Sequence, residues 1–354
     1  MQFINKTKFE ACWIPGLGTD GREQLVVIIK VTYQMPQQEG EINLANVQRN
    51  IIEADISTGE PGFSAILYES DYVSYKPMCD VLFNGCAYAP FEEEVKELVV
   101  SLQVGKMYKS FKVIGDRTWG ESHPQPFTMM PISYDNAFGG TDISDKKKFR
   151  FYRDNPIGTG YSYHCKNIVD MSLPNTEELN SRVKNPKGSY KPMAFGVIGR
   201  AWQPRIEYAG TYNNEWIENT MPFYPEDFDI RYFQSAPPEQ QVPYIKGGER
   251  VILKNLSANG IESFLLPKQD IPVIFTQYKG GDILLHSVVD TLVIEPELGI
   301  FSMVSRATLP LRKNLHDIKK IIVGDVEREW RHKQRVPDKK YYATLADFIV
   351  QKRR

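Results

Sequence analysis

Four aspartates stand in two pairs that could carry out acid–base chemistry. Asp135 and Asp142 flank the sequence AFGG, and Asp227 and Asp229 lie in the sequence PEDFD. Hydrolysis of a glycoside needs two carboxylates at a fixed separation, and a β-rich protein with many aromatic side chains can stack sugars. The pairs therefore support one hypothesis, a carbohydrate-active enzyme. However, aspartate beside glycine, asparagine or proline usually caps loops and forms Asx turns, so we interpret all four as structural and do not expect an enzyme.

Residues that could bind a metal ion or a phosphate are scattered along the chain. The sequence has no CxxC pair, HExxH motif, GxSxG elbow, Walker loop or GxGxxG fingerprint, and Gly158-Thr159-Gly160 lacks the third glycine of a phosphate cradle. The candidate metal ligands are His123, His164, His286, His316, His332, Cys12, Cys79, Cys86 and Cys165. Because their spacing matches no known ligand pattern, the sequence predicts no metal site and no cofactor.

The composition is that of a globular chain. Its 354 residues are 42% hydrophobic and 25% charged, enough apolar material to fill a core without disulfide or metal staples. Lysine plus arginine (43) nearly balances aspartate plus glutamate (44), which argues against a nucleic-acid binder. The chain begins without an apolar stretch typical of a secretory signal, and no run approaches a membrane span. We therefore expect a cytoplasmic protein with buried free thiols, no nucleic-acid partner and no membrane insertion.

The first third of the chain is predicted to form strands. Leu25–Tyr33 is a β-branched run typical of a buried strand. Leu98–Val104 and Tyr108–Ile114 alternate in hydrophobicity on either side of Gly105-Lys106, which predicts a hairpin. Cys79–Ala87 is a further strand candidate.

The last third also predicts strands. Turn sequences separate Pro272–Tyr278, Ile283–Ile294 and Ile300–Leu309, and we interpret the three segments as an antiparallel meander. Alternation places five side chains of the last segment on one face: Phe301, Met303, Ser305, Ala307 and Leu309.

The middle third differs from both. Residues 120–248 are dense in proline, glycine, asparagine and aromatic residues, and such irregular chain needs aromatic anchors. Short helices are predicted at Asn175–Val183 and Asn213–Glu218. The anchor candidates are Trp202, Tyr208, Tyr212, Trp216, Phe223, Tyr224, Phe228, Tyr232 and Phe233.

The C-terminal segment, residues 312–354, is basic and predicted to be partly helical. It carries a surplus of seven positive charges. Asn314 is positioned to cap a helix over Leu315–Ile321, and Thr344 to cap an amphipathic helix over Leu345–Lys352. The body is expected over residues 1–311, either as one unit or as two packed sub-domains, 1–119 and 120–311.

The fold expectation follows from these patterns. We expect a mainly β protein of the β-rich α+β kind, in which antiparallel sheets pack in sandwich-like layers. A loop-rich aromatic centre and a short helical C-terminus complete it.

Ordered motifs give the sequence a resemblance to a known family. The segment Tyr134–Asp142, YDNAFGGTD, followed by Asn155–Tyr161, NPIGTGY, resembles the central signature of the "domain of unknown function 2169" family, bacterial proteins associated with type VI secretion. The likeness runs from about Trp13 to Trp330. Its other blocks include Glu69-Ser70-Asp71, Lys76-Pro77, Asp80, Gly85, Gly115-Asp116-Arg117-Thr118-Trp119, Phe195-Gly196, Trp202-Gln203-Pro204-Arg205, Gly210-Thr211-Tyr212, Trp216 and Pro225-Glu226-Asp227-Phe228-Asp229.

The resemblance implies a non-enzymatic role. It implies a cytoplasmic adaptor, or chaperone, that binds a type VI effector and helps load it onto the spike formed by VgrG and its PAAR tip. The signature residues are then the candidates for partner contact, although we expect most to be structural. They are Tyr134, Asp135, Asn136, Phe138, Gly139, Gly140, Thr141, Asp142, Asn155, Gly158, Gly160, Trp202, Arg205, Gly210, Thr211, Trp216, Asp227, Phe228 and Asp229. The two glycines of AFGG, Gly139 and Gly140, are expected to meet a backbone requirement for positive φ rather than to contact a ligand.

Two other classes of protein remain as alternatives. A carbohydrate-active enzyme would turn over a glycan through one of the aspartate pairs. A structural component resembling a phage baseplate part would assemble into a fixed oligomer. The adaptor, by contrast, covers apolar or strand-edge surface on a partner that is not yet assembled.

Overall fold

The computed structural model describes residues 1–36, 42–145, 147–312, 315–327, 330, 333 and 338–352. Strand is the most abundant regular structure among these residues, as the sequence predicts. In chain order the strands are β1 (Gln2–Asn5), β2 (Glu10–Leu17), β3 (Glu23–Gln34), β4 (Ile56–Ser57), β5 (Ile66–Tyr68), β6 (Cys79–Phe83), β7 (Gly85–Tyr88), β8 (Glu97–Val104), β9 (Met107–Ile114), β10 (Met129–Ile132), β11 (Phe138–Gly139), β12 (Thr141–Asp142), β13 (Arg150–Phe151), β14 (Thr159–Gly160), β15 (Thr176–Glu177), β16 (Gln241–Val242), β17 (Arg250–Lys254), β18 (Ile261–Leu265), β19 (Pro272–Gln277), β20 (Ile283–His286), β21 (Val288–Glu295), β22 (Ile300–Pro310) and β23 (Ile318–Val323).

Helical structure is short. Its α-helices include α1 (Asn214–Asn219) and α2 (Leu345–Lys352). The 3₁₀ turns are Pro90–Glu92, Tyr134–Asn136, Arg205–Ala209, Ile230–Phe233, Pro238–Gln240, Pro296–Leu298 and Leu315–Asp317. Within the described ranges no helix is long and apolar enough to cross a membrane.

The largest sheet has six strands in the order β16-β6-β21-β22-β3-β2. Its long strand β3 confirms the strand predicted at Leu25–Tyr33, and β22 pairs with it over eleven residues. Side chains at alternate positions of β3 enter the main core, whereas Val26 and Ile28 pack on the opposite face. Both faces of this sheet are therefore buried.

The second sheet has five strands in the order β15-β9-β8-β17-β18. Its centre is the predicted hairpin, in which β8 and β9 pair from Glu97↔Ile114 to Val104↔Met107. Leu98, Val100 and Leu102 point to the main core, as their alternation requires.

The third sheet has four strands in the order β1-β23-β19-β20 and corrects two predictions. The segment Ile283–Ile294 is interrupted at Ser287, so β20 pairs with β19 here while β21 joins β22 in the six-stranded sheet. The expected single meander is therefore wrong. The helix expected at Leu315–Ile321 is also wrong, because β-branched β23 pairs with β1 and β19 after one 3₁₀ turn. Its expected cap, Asn314, lies outside the described residues, as does His332.

One hydrophobic cluster joins the inner faces of the three sheets. It includes Leu25 of β3, Phe111 of β9, Phe275 of β19 and Phe301 of β22, all fully buried. The prediction that Phe301, Met303, Ala307 and Leu309 share the core face of β22 is confirmed. The layered β arrangement expected from sequence is thus present.

Several local predictions are also settled by the structure. The strand expected at Cys79–Ala87 divides at Asn84, because β6 pairs with β21 and β7 with β10. Asn175–Val183 is extended and contains β15, so the helix expected there is wrong. The helix expected at Asn213–Glu218 is confirmed as α1, capped by the Asn213 side chain. The cysteines are free, but of the four only Cys79 is buried and Cys165 is exposed.

Helix α2 has the predicted cap and an open apolar face. Thr344 Oγ1 accepts from the Asp347 amide (3.2 Å), and Asp347 Oδ2 accepts from the Thr344 amide (3.1 Å), which forms a capping box. Leu345, Phe348 and Ile349 are all exposed along this helix.

Candidate functional site

The central signature begins with a capped turn. Ser133 Oγ accepts from the Asp135 amide and caps the 3₁₀ turn Tyr134–Asn136. The Asp135 carboxylate accepts from Thr58 Oγ1 (2.9 Å), the Ala65 amide (2.9 Å) and Ser133 Oγ (3.1 Å). Asp135 therefore holds this turn against the ribbon formed by β4 and β5.

Asn155 holds the two signature segments together. Its buried side-chain amide donates to the carbonyl oxygens of Tyr134 (2.8 Å) and Phe138 (3.2 Å). Gly139 and Gly140 have φ values of 152° and 116°, which confirms the predicted positive φ. A Cβ on Gly140 would lie 2.6 Å from the Gly158 carbonyl oxygen. Glycine is therefore required where the segments cross.

The rest of the signature packs around this crossing. Phe138 is buried in a cluster whose rings include Tyr152, 5.0 Å away, and Tyr190, 4.9 Å away between centroids. Thr141 Oγ1 donates to the Pro156 carbonyl (2.9 Å), and a Cβ on Gly160 would lie 2.8 Å from a Pro174 side-chain atom. These residues act in packing.

Asp142 supports a loop. It accepts from the Ser144 amide (2.9 Å), Ser162 Oγ (2.9 Å) and the His164 amide (2.8 Å). Burial alone would raise the pKa of Asp142, but these hydrogen bonds outweigh it and hold that pKa well below its usual range. A general acid needs the opposite shift, so the geometry favours a structural role.

The second aspartate pair lies in the aromatic lobe, residues 205–233. Asp227 accepts from the Thr211 amide (2.9 Å) and hydroxyl (2.7 Å), beside Gly210. Asp229 caps the 3₁₀ turn Ile230–Phe233 and accepts from Arg231. Hydrogen bonds from Thr211 lower the pKa of Asp227, and those from Arg231 lower the pKa of Asp229.

Aromatic rings hold the lobe together. Phe228 stacks on Tyr224 with 4.3 Å between centroids. Half-buried Trp216 donates from Nε1 to the Phe223 carbonyl (2.9 Å) and meets Tyr212 edge-on. The anchoring role predicted for these rings is present. Whether Trp216 also contacts a partner stays a prediction.

Trp202 and Arg205 connect the lobe to the body. Trp202 is buried and meets Tyr134 edge-on at 5.5 Å. The Arg205 guanidinium donates to Glu69 (2.6 Å), to the Ile198 carbonyl (2.8 Å) and to the Tyr232 carbonyl (2.8 Å). One buried arginine thus ties three distant segments together.

Arg205 and Glu69 belong to a buried set of ionised side chains that we call the charged layer. All eight members are at most 8% exposed, and four cations balance four anions. Lys30, Asp80 and Arg306 occupy strand positions that alternate with the core-facing ones, so they lie on the face of the six-stranded sheet opposite the main core. The members are Lys30, Glu69, Asp71, Lys76, Asp80, Arg205, Asp290 and Arg306.

Asp80 is the most heavily bonded member of the charged layer. It pairs with Lys76 (2.7 Å) and accepts from the Gln234 side chain, the Ser235 amide and hydroxyl, and the Ala236 amide. Nearby, Lys30 pairs with Asp71 (3.1 Å), and Arg306 pairs with Asp290. Asp80 therefore fixes residues 234–236, which directly follow the aromatic lobe, onto strand β6.

The main opening at the signature is a cavity of about 370 Å³, which we call the signature pocket. Its walls are Thr58, residues 65–67, residues 84–86, residues 131–136 and Gly196. Five chain segments thus meet around it, three of which belong to the resemblance. Of the predicted signature residues, Tyr134, Asp135 and Asn136 line it, and the others lie outside it.

The signature pocket has three ionisable side chains in its walls, and the one acidic residue among them, Asp135, is already hydrogen-bonded. Burial, together with nearby Glu297, raises the pKa of Cys86 to about 12, and burial also raises the pKa of Tyr134. Both groups are therefore uncharged at pH 7. The third ionisable group of the walls, Asp135, already accepts three hydrogen bonds.

Sequence reasoning missed both the charged layer and the signature pocket. A signal for the first was present, since Lys30 interrupts an aliphatic run, Asp80 follows a cysteine in CDVLF, and Arg306 lies in a buried strand. Charged residues inside such strands are almost always paired. The pocket had no comparable signal, because its walls come from five separate segments. Among the described residues no group of three potential ligands is arranged to hold a metal ion.

Comparison with known proteins gives one match. A family model described as "Uncharacterized protein conserved in bacteria (DUF2169)" matches residues 20–306. No curated protein and no solved structure matches. The matched range contains the charged layer and the signature pocket, and it ends before β23 and α2.

Proposed function

The chain belongs to the DUF2169 family of uncharacterized proteins conserved in bacteria, and from that premise we propose that it is a type VI secretion adaptor. In this proposal it works in the bacterial cytoplasm, binds an effector and assists its loading onto the VgrG/PAAR spike. It acts by covering apolar surface of another polypeptide and catalyses no reaction.

The observation that carries the proposal is the signature pocket. It is an open concavity of about 370 Å³ at the central signature, and the carboxylate of its one acidic wall residue, Asp135, is already hydrogen-bonded. A concave surface with apolar side chains and a few polar groups at its walls suits recognition of apolar groups on a partner. The aspartates that an enzyme would use are instead bonded to loop amides, hydroxyls and Arg231.

The test is co-expression with an effector that carries a PAAR domain and is encoded beside this chain. We expect the effector to co-purify with the full-length protein, and deletion of the protein to reduce secretion of that effector. No co-purification with effector, PAAR or VgrG proteins, together with unchanged secretion, would overturn the proposal.

The same preparation tests the two alternatives. A carbohydrate-active enzyme would turn over members of a glycan panel and lose that activity in Asp135→Asn or Asp229→Asn while remaining folded. A structural component would form a fixed oligomer and would be present in sheared spike particles. An adaptor gives neither result.

A further inference from the structure

We infer that the signature pocket receives one uncharged, apolar side chain, together with its flanking main-chain peptide group, from an extended segment of the partner. This inference rests on the proposed function, because it states what the partner presents. It is carried by the size of the pocket, the chemistry of its walls and the glycine at its edge.

The size of the pocket limits the occupant. Ligand pockets have volumes of about 300–1,000 Å³, so a cavity of about 370 Å³ lies at the lower end. An α-helix with its side chains is about 10 Å across and would not enter such a space. A single side chain with its adjoining peptide group would, and an extended segment presents its side chains singly.

The charged and apolar groups of the walls favour an uncharged occupant. Asp135 is the acidic residue of the walls, and its carboxylate already accepts from Thr58, Ala65 and Ser133. A cation would be attracted to this carboxylate but would find three of its acceptor sites taken, and an anion would be repelled by it. Ile66, Leu67 and Ile132 supply apolar contact instead.

Two asparagines give the walls hydrogen-bonding groups for a peptide. The side-chain NH₂ of Asn84 donates to the Leu67 carbonyl (3.1 Å), and that of Asn136 donates to the Pro131 carbonyl (3.2 Å). Each NH₂ keeps a second N–H, and each side-chain oxygen is an acceptor, so either asparagine can offer a partner both a donor and an acceptor. A peptide group, which carries one N–H and one carbonyl, is the matching group on an extended chain.

Gly196 marks the space that the occupant fills. Its φ lies outside the left-handed region, and a Cβ built on it would meet no heavy atom within 4 Å. Its neighbour Phe195 is fully buried, and the Phe195 carbonyl accepts from Phe83 and Gln240, so the backbone is fixed there. Neither backbone conformation nor packing against the described residues requires glycine here. Because Gly196 also lines the signature pocket, a larger side chain at this position should reduce the space in it.

The experiment uses small probes on the full-length protein. N-acetyl-phenylalaninamide carries the apolar side chain and the peptide groups. N-acetyl-lysinamide and the α-amide of N-acetyl-glutamic acid each carry a charged side chain, and 1-octanol represents an acyl chain. Binding is followed by NMR chemical shifts for the wild type, for Gly196→Leu and for the control Gly281→Leu. A Cβ at Gly281 also meets nothing within 4 Å, but it lies in the β19–β20 loop.

The expected result is selective, blockable binding. N-acetyl-phenylalaninamide should bind the wild type and Gly281→Leu with a Kd on the order of 1 mM, and Gly196→Leu roughly tenfold or more weakly. The charged probes and octanol should bind less well to all three proteins. Absence of wild-type binding, equal binding to Gly196→Leu, or preference for a charged probe or octanol would overturn the inference.

The two proposals fail in different ways. If effector co-purification persists undiminished in Gly196→Leu, the pocket is not the contact and the adaptor function stands. If the probe binds selectively and Gly196→Leu blocks it, while no effector or spike protein co-purifies with the wild type, the pocket chemistry stands and the adaptor function falls.

Discussion

The charged layer and the signature pocket contain residues of the same resemblance but differ in their physics. In the charged layer, ionised groups such as Asp80 and Arg205 are buried and bonded to several partners each. The signature pocket is open, its walls are mostly uncharged, and there is free space where Gly196 has no side chain. A shared sequence signature therefore does not imply a shared role. The first region stabilises the fold, and the second is available to a partner.

The difference follows from the free-energy cost of burying charge, which the charged layer carries and the signature pocket does not. A buried charge costs several kcal/mol unless it is paired and hydrogen-bonded, so the charged layer tolerates few changes. An open neutral surface carries no such cost, so the signature pocket can change shape or fill without loss of stability. Mutations should therefore separate stability from binding.

The largest effect is expected for Asp80→Asn. The substitution removes the charge that pairs with buried Lys76 and weakens hydrogen bonds to residues 234–236. Breaking one member of a buried pair costs about 3–5 kcal/mol, and urea unfolding monitored by fluorescence measures it. The exposed pair Asp20–Arg22 supplies the control, because Asp20→Asn should cost about 0–1 kcal/mol. Equal midpoints for the two variants would contradict the structural role of the layer.

A smaller loss is expected for Asn155→Ala, at the crossing of the two signature segments. It removes the side-chain donor from the carbonyls of Tyr134 and Phe138, of which the first keeps its bond from the Ala137 amide, and the expected cost is about 1–3 kcal/mol. Because those bonds hold the turn that lines the signature pocket, probe affinity should fall as well. Urea unfolding and NMR titration measure the two effects, with exposed Asn259→Ala as the control. Lost stability with unchanged probe binding would show that the pocket does not depend on the crossing.

The sequence predicted elements whose signal is local. The strand β3, the β8–β9 hairpin and the capped helices α1 and α2 follow from periodicity and capping residues within each segment. The positive φ of Gly139 followed from its turn sequence.

The predictions from sequence were wrong where pairing between distant segments determines the structure. Leu315–Ile321 has apolar residues at helical spacing, but β23 forms because β1, from the other end of the chain, pairs with it in parallel. The single residue Ser287 separates strands of two sheets, and nothing in the sequence around it signals that change. The charged layer and the signature pocket are likewise products of tertiary contact. The sequence indicated some of their residues but not how those residues are arranged.

The ion pairs of Glu239 at the edge of the core allow pH to test whether a charge held by the fold contributes to its stability. Burial alone would raise the pKa of Glu239, but Lys109 and Lys191, each 3.0 Å away, lower it from 4.5 to about 2. Since the folded pKa lies below the unfolded value, the stabilisation is complete above about pH 4.5 and is lost as pH falls toward 2. Glu239→Gln should therefore cost on the order of 1–3 kcal/mol at pH 7 and little near pH 2.

Urea unfolding at several pH values measures this convergence. Exposed Glu218→Gln on helix α1 is the control and should follow the wild-type curve at every pH. A constant gap between the wild type and Glu239→Gln from pH 7 to pH 2 would show that the pair does not contribute through its charge.

The smallest effect on stability is expected at Gly196. Replacing it with alanine adds a methyl group that meets nothing within 4 Å, and it restricts the unfolded chain, so the change should lie between zero and a stabilisation of about 1 kcal/mol. The control comes from the same resemblance. Gly139→Ala places its Cβ against the Asn155 carbonyl oxygen at positive φ and should destabilise the protein. Thermal unfolding of both variants distinguishes the roles, because a Gly196→Ala variant as unstable as Gly139→Ala would mean that this glycine serves the fold and that the signature pocket is not free space.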